Sequence, residues 1–471
     1  MKTFKFIFVA LLVAIVLGTN AQTYEPNWVS LDKRKAPSWF TDAKFGIFIH
    51  WGVYSVPAYR PVGKERYSSY AEWYQVDVMG KPGPGRDFHN RVYGSDFQYR
   101  QFAPLFKAEL FNPDEWAGIF QNSGAKYVVL TAKHHDGFCL WPTKNQYSKN
   151  WNSGETGPKR DLVGDLKTSV RKKGLKMGLY YSIMEWETPA PSALDKPYLA
   201  KEIIQKYQIP PDKYVDDHLI SQLKELVTQY QPSVIFSDGC GDETSEYWNS
   251  QSFIAWLYNT AANKDEVLVN DRWGKDALGL HGDFFSTEYS PADEKMSASH
   301  LWEESQGIGG SYGYNRAENL EDYKSSAQIV HLLIDKVSKG GNLLLNIGPS
   351  ADGLIPVIMQ QRLADVGRWL KVNGEAIYDT RVWENRPADT NTQTTFYTRK
   401  GNDIYVIVTR WPENELYIPG LESAARVSLL GCSVPVKSKS KDGNLVITPP
   451  ALHLGNIPCE YAWVFKVGYA I

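Results

Sequence analysis

The sequence predicts an α/β protein, a (β/α)8-like barrel followed by a C-terminal β-sandwich. Helix-then-strand units recur up to Tyr378, polar residues collect where the apolar strands stop, and beyond Tyr378 helical periodicity gives way to extended segments separated by turn signals.

The chain opens with Lys2 and Lys5, an apolar run from Phe6 to Leu17, and then Gly18-Thr19-Asn20-Ala21. That order is expected of a secretory signal cleaved after Ala21. The run is shorter than the roughly 20 residues of a membrane-spanning helix, and no Cys stands at the cleavage point to take a lipid. Residues 1–21 are therefore read as a signal peptide, 22–380 as the barrel and 381–471 as the sandwich. The expected product is exported, periplasmic or secreted, with no membrane span.

In "FNPDEWAGIFQNSGAKYVVLTA", Asn112 suits a helix N-cap, Pro113 its first turn, and Asp114 and Glu115 its positive end. Trp116, Ile119 and Phe120 share a face, Gly124 ends the helix, and a strand follows over Tyr127–Thr131. The unit repeats with the stripe Leu162, Leu166 and Val170, a stop at Gly174, and an extended Lys176–Ser182. It repeats again before Pro232 and the strand Val234–Ser237. Shorter apolar runs lie at Gly46–His50, Val267–Asn270 and Leu343–Ile347. The turn signals in the last segment are Lys400–Asp403 and Asp442-Gly443, and the polar stretch Asn385–Gln393 joins the two parts.

A net charge of −2 gives no reason to expect a nucleic-acid partner. The aromatic content, 13%, suits the apolar faces of sugars but equally fills cores. Cys139, Cys240, Cys432 and Cys459 lack metal-ligand spacing. A Cys432–Cys459 bridge is compatible with export, but free thiols are the expectation.

Chemistry is sought where strands stop, at His50, His134, His135, Ser182, Asp238 and Asn270. Adjacent His134 and His135, placed on a strand, would point to opposite faces, which disfavours shared chelation. No HExxH or Cys cluster supports a metal, and no GxSxG elbow supports a serine hydrolase. Asp238, followed at once by Gly239, stands open to two readings: a turn cap or a carboxylate at the barrel mouth. A retaining glycosidase needs two carboxylates about 5–5.5 Å apart, and Glu185, Glu187, Glu243, Glu288, Glu303 and Glu304 are the candidates for a partner.

The segments "KFGIFIHWGVYSVPAY", "EWY" at Glu72–Tyr74, "GAKYVVLTAKHHDGFCLWP", "GPKRDLVGDL", "GLYYS", "VNDRWG" and "GGNLLLNIGPSADG" occur in order between Trp39 and Tyr378. Together they resemble the α-L-fucosidases of glycoside hydrolase family 29. The stretch "DRWGKDALGLHGDFFSTEYS" is similar to the branch with relaxed linkage preference. The resemblance implies a retaining exo-hydrolase of terminal α-L-fucose on glycans, with Asp238 as nucleophile and Glu288 as general acid/base. His50, Glu72, Trp73, His134, His135, Tyr180 and Arg272 match positions that hold the fucose ring. It implies no metal and no cofactor. Trp73 and Tyr180 could instead be core aromatics, and Arg272 merely a partner for Asp271. A fucose-binding protein without turnover and a glycosidase for a related sugar such as α-L-galactose are the alternative readings. Many relatives have Trp where this chain has Phe236, which leaves an apolar wall without an indole donor.

Overall fold

The structure, a computed structural model, describes residues 23–194, 209–289, 300–388, 393–421 and 426–468. The segment read as a signal peptide lies outside the described residues. Within them, no helix is long and apolar enough to cross a membrane.

Eight strands build one parallel sheet: β1 (Phe45–Ile49), β2 (Tyr127–Lys133), β3 (Lys176–Ser182), β4 (Val234–Asp238), β5 (Leu268–Val269), β6 (Phe285–Glu288), β7 (Trp302–Gly307) and β8 (Asn342–Ile347). Their order is β5-β4-β3-β2-β1-β8-β7-β6. Both faces are covered, so β1, β2 and β8 are buried at every residue and read as near-continuous apolar runs. Phe48, Val129, Tyr180, Phe236 and Leu344 pack together as a core distinct from the larger core under the helices. This filled interior leaves the upper strand ends as the floor of a pocket.

Helices form where the patterns require. Asn112 caps Pro113–Asn122 by accepting from Glu115 N at 3.3 Å. Asp161 caps Leu162–Lys172, which buries Leu162, Leu166 and Val170 and ends before Gly174 at φ +76°. Helix Val357–Asn373 packs on Pro113–Asn122 through Gly367, where a Cβ would stand 1.9 Å from the Asn122 carbonyl oxygen. Gly367→Ala is expected to destabilise the fold by about 1–3 kcal/mol despite the better helix propensity of alanine. Thermal or urea denaturation would measure it.

The ladder does not pass between β5 and β6 among the described residues. One main-chain bond, from Asp283 N to Val269 O at 2.9 Å, and two carboxylates bridge that seam instead. Asp283 Oδ2 accepts from Val269 N at 2.9 Å, and Asp271 Oδ1 accepts from Ser286 N at 2.9 Å. Arg34 and Tyr258 in turn hold the Asp283 carboxylate.

Beyond the barrel, β9 (Thr395–Lys400), β10 (Asp403–Val408), β11 (Leu416–Ile418), β12 (Arg426–Leu429), β13 (Lys437–Lys441), β14 (Asn444–Thr448) and β15 (Trp463–Gly468) form two antiparallel sheets, ordered β12-β15-β10-β9 and β11-β14-β13. Both hairpin turns lie where the sequence signals them. The sandwich braces the barrel. Phe396, Tyr405, Ile407 and Val464 join the barrel's outer core, and Trp369 donates through Nε1 to Ala462 O at 2.9 Å. All four cysteines are free, so the Cys432–Cys459 bridge is not formed.

Candidate active site

A cavity of about 1090 Å³ opens at the C-terminal ends of the barrel strands. Asp238, Glu288, His50, Glu72, Trp73, His134, His135, Tyr180 and Arg272 all line it. Of the six glutamates considered as partners for Asp238, only Glu288 is among the lining residues. Glu185 is committed to Lys133 and His218, Glu187 to Arg100 and Gln75, and Glu303 to Tyr127.

Asp238 ends β4, between β3 and β5. Its Oδ1 accepts from Arg272 Nη1 at 2.9 Å, its Oδ2 accepts from the Tyr180 hydroxyl at 2.8 Å, and His135 Nε2 stands 3.7 Å away. Burial pushes this carboxyl up, but the guanidinium, the imidazole and the phenol outweigh it and hold Asp238 down at about 2. It is a carboxylate at any ordinary working pH. Arg272 therefore serves Asp238 rather than only its neighbour Asp271, which accepts instead from Ser286 and Gly279 N.

Glu288 ends β6 and accepts from the Tyr70 hydroxyl at 2.6 Å. Its Oε2 lies 3.5 Å from the same Arg272 Nη1 that binds Asp238. One nitrogen thus touches both carboxylates.

Arg272→Gln would leave Asp238 buried without its main counter-charge, so its pKa rises. The sign follows directly: a role that requires Asp238 as a carboxylate is lost as pH falls through its pKa, so a raised pKa moves the acidic limb of kcat/KM to higher pH. A pH–rate profile of the variant beside the parent enzyme checks this, and an unmoved acidic limb would rule it out.

The histidines depart from the strand-based expectation. His134 and His135 both face the cavity, with ring centroids 4.3 Å apart. The reason is that β2 ends at Lys133, with a register shift against β3 between Thr131 and Lys133, so the alternation of a strand no longer applies. The loop is anchored from below by buried Lys133, paired with Glu185. Burial alone would raise Glu185, but Lys133 and His218 prevail and hold it ionised. Gly137, at φ +75°, lets the turn close over this carboxylate, since a Cβ there would lie 2.7 Å from Glu185 Oε2.

Two of the three histidines are fixed from behind. His135 Nδ1 pairs with Ser182 Oγ at 2.6 Å, and His50 Nδ1 with Asn346 Oδ1 at 2.6 Å. Burial lowers all three imidazoles, His50 to about 3, so they are neutral and carry both a donor and an acceptor. Glu72 is buried, with Oε2 accepting from Gly313 N at 2.8 Å, and burial raises it to about 7. Trp73 stands edge-on to His135 and Trp186 at the cavity wall.

Several lining residues escaped sequence reasoning, among them Tyr70, Tyr312, Phe48 and Met184. Tyr312 stacks on His50 with centroids 4.8 Å apart. Asn346 had left a signal, as the polar residue inside the apolar run Leu343–Ile347.

Two carboxylates on one guanidinium at the C-terminal mouth of a parallel barrel are the equipment of a glycoside hydrolase. Comparison with known proteins narrows the class. The family model described as alpha-L-fucosidase matches residues 11–375, and that of the alpha-L-fucosidase C-terminal domain matches residues 388–468. The chain belongs to the α-L-fucosidase family. It is 42% identical to the tissue alpha-L-fucosidase of Homo sapiens over 94% of this chain and 91% of that one. To the alpha-L-fucosidase of Branchiostoma floridae it is 41% identical, over 97% and 98% of the two chains. Among solved structures, the Thermotoga maritima alpha-fucosidase in complex with a mechanism based inhibitor is similar at a TM-score of 0.81 and 40% identity, over 94% of this chain and all of that one.

Proposed function

We propose that this α-L-fucosidase works by double displacement, with Asp238 as nucleophile and Glu288 as acid/base. The observation that carries the proposal is the shared contact of Arg272 Nη1 with both carboxylates inside one cavity. Terminal α-L-fucose enters with its anomeric carbon toward Asp238. The carboxylate attacks this carbon while protonated Glu288 gives its proton to the departing glycosidic oxygen. Water, deprotonated by the same Glu288, then cleaves the β-fucosyl ester, and the sugar leaves with its α configuration.

His50, His134, His135, Glu72 and Trp73 hold the ring. Neutral imidazoles read hydroxyls without setting a permanent positive charge beside a developing oxocarbenium ion. Glu72, at about 7, donates or accepts near neutral pH. Tyr180 and Arg272 hold the nucleophile ionised. Phe236, in the wall beside Tyr180, offers an apolar surface for the methyl group of the sugar. The chain fits the branch with relaxed linkage preference, in which the acid/base Glu lies in a Thr-Glu-Tyr context as at Thr287–Tyr289. It is exported, on the strength of the leader pattern in residues 1–21.

Proton NMR of an aryl α-L-fucoside during hydrolysis tests the mechanism. The first-formed sugar is expected to be α-L-fucose, which then mutarotates. Initial β-L-fucose would refute double displacement, and faster cleavage of the α-L-galactoside would move the assignment to a related sugar.

A further inference from the structure

A second cavity, of about 530 Å³, lies at the opposite end of the barrel. It is lined where β1, β6, β7 and β8 begin, by Lys44, Asp283, His300 and Gly340, and closed by Arg381 at the start of the C-terminal segment. It shares no lining residue with the catalytic cavity.

Lys44 sets its chemistry. The residue is 1% exposed and lines the cavity, yet its ammonium has no hydrogen bond or ion pair among the described residues. Two neighbouring cations are already matched, and Lys35, which also lines the cavity, is exposed. Arg34 binds both oxygens of Asp283, at 2.8 and 2.9 Å, and the carbonyls of Lys264 and Val267 at 2.7 Å each. Arg381 pairs with Asp42 at 2.8 Å. Burying an ammonium without a partner is costly. Here burial lowers it to about 8, with Arg381 acting in the same direction and Asp42 and Asp379 against it.

The backbone adds a second, independent anomaly. Lys44 joins helix Ser38–Ala43 to β1 at φ 60°, a conformation that favours glycine or asparagine. A long cationic side chain is thus held in a strained link and aimed into an open cavity. The fucose site needs neither feature. Trp28 and Leu31 supply an apolar wall, and the volume falls in the range of small-molecule sites.

We propose that this cavity is a second ligand site, for an anionic small molecule of about monosaccharide size whose carboxylate or sulfate oxygen accepts from Lys44 Nζ. The charge selects against neutral fucose, so occupancy is independent of the catalytic pocket.

Thermal denaturation of the full enzyme, saturated with fucose, tests it with sodium glucuronate and sodium sulfate as separate probes against sodium chloride of equal ionic strength. Stabilisation by about 1–2 °C is expected from at least one probe, and its loss in Lys44→Met. Glucuronate acting alone would identify a sugar acid, and sulfate acting as well would identify a general oxyanion site. A crystal soaked in selenate removes dependence on the variant folding: the anion is expected within hydrogen-bond reach of Lys44 Nζ. The proposal is overturned by no stabilisation beyond chloride, by equal stabilisation in a folded Lys44→Met, by selenate found only elsewhere, or by probes that compete with the aryl fucoside.

Discussion

Asp238→Ala is expected to lower kcat on an aryl α-L-fucoside by about 10³-fold or more, the scale on which loss of a covalent nucleophile is felt. The side chain sits at the end of a strand paired on both sides and is gripped by Arg272 and Tyr180, so no neighbour stands ready to replace it. Added azide should restore turnover by attacking from the vacated face. Its product, a β-L-fucosyl azide, would carry inverted stereochemistry. Circular dichroism would show the fold intact while activity is gone. Retention of parental activity would exclude Asp238 as nucleophile.

Glu288→Ala should divide substrates by leaving group. Cleavage of a natural glycoside, which needs a proton on the departing oxygen, is expected to fall by about 10²–10⁴-fold. An activated aryl fucoside needs little such help, so its first step survives and the fucosyl-enzyme accumulates, visible as a burst of phenol. Azide then intercepts that intermediate and yields the α-L-fucosyl azide. The opposite stereochemistry of the two azide products separates the two roles within one assay. Equal losses on both leaving groups, with no azide effect, would remove Glu288 from the acid/base position.

Local pattern disclosed most of the barrel. The runs at Lys176–Ser182 and Val234–Ser237 lie within one residue of β3 and β4, because a strand buried on both faces writes its apolar length directly into the chain. The histidine pair was misjudged because strand alternation was extended past Lys133, and a register shift has no local signature. Tyr70 stayed hidden for another reason. Its bond to Glu288 spans 218 positions, and nothing in the tyrosine's own surroundings signals a carboxylate that far along the chain. The long motifs recovered Glu72 and Trp73, which helical or strand periodicity alone would have passed over.

The seam between β5 and β6 has an evolutionary consequence. Asp238 rides on a strand locked between two backbone neighbours, whereas Glu288 rides on one whose ladder, among the described residues, is with β7 alone. Insertions or deletions in the connection from Asp271 to Asp283 can displace β6 by exchanging a few side-chain bonds and the main-chain bond from Asp283 N to Val269 O, without tearing a ladder. Changes beyond Arg272 in that connection can therefore move Glu288 while Asp238 and the histidines at the ends of β1 and β2 keep their places.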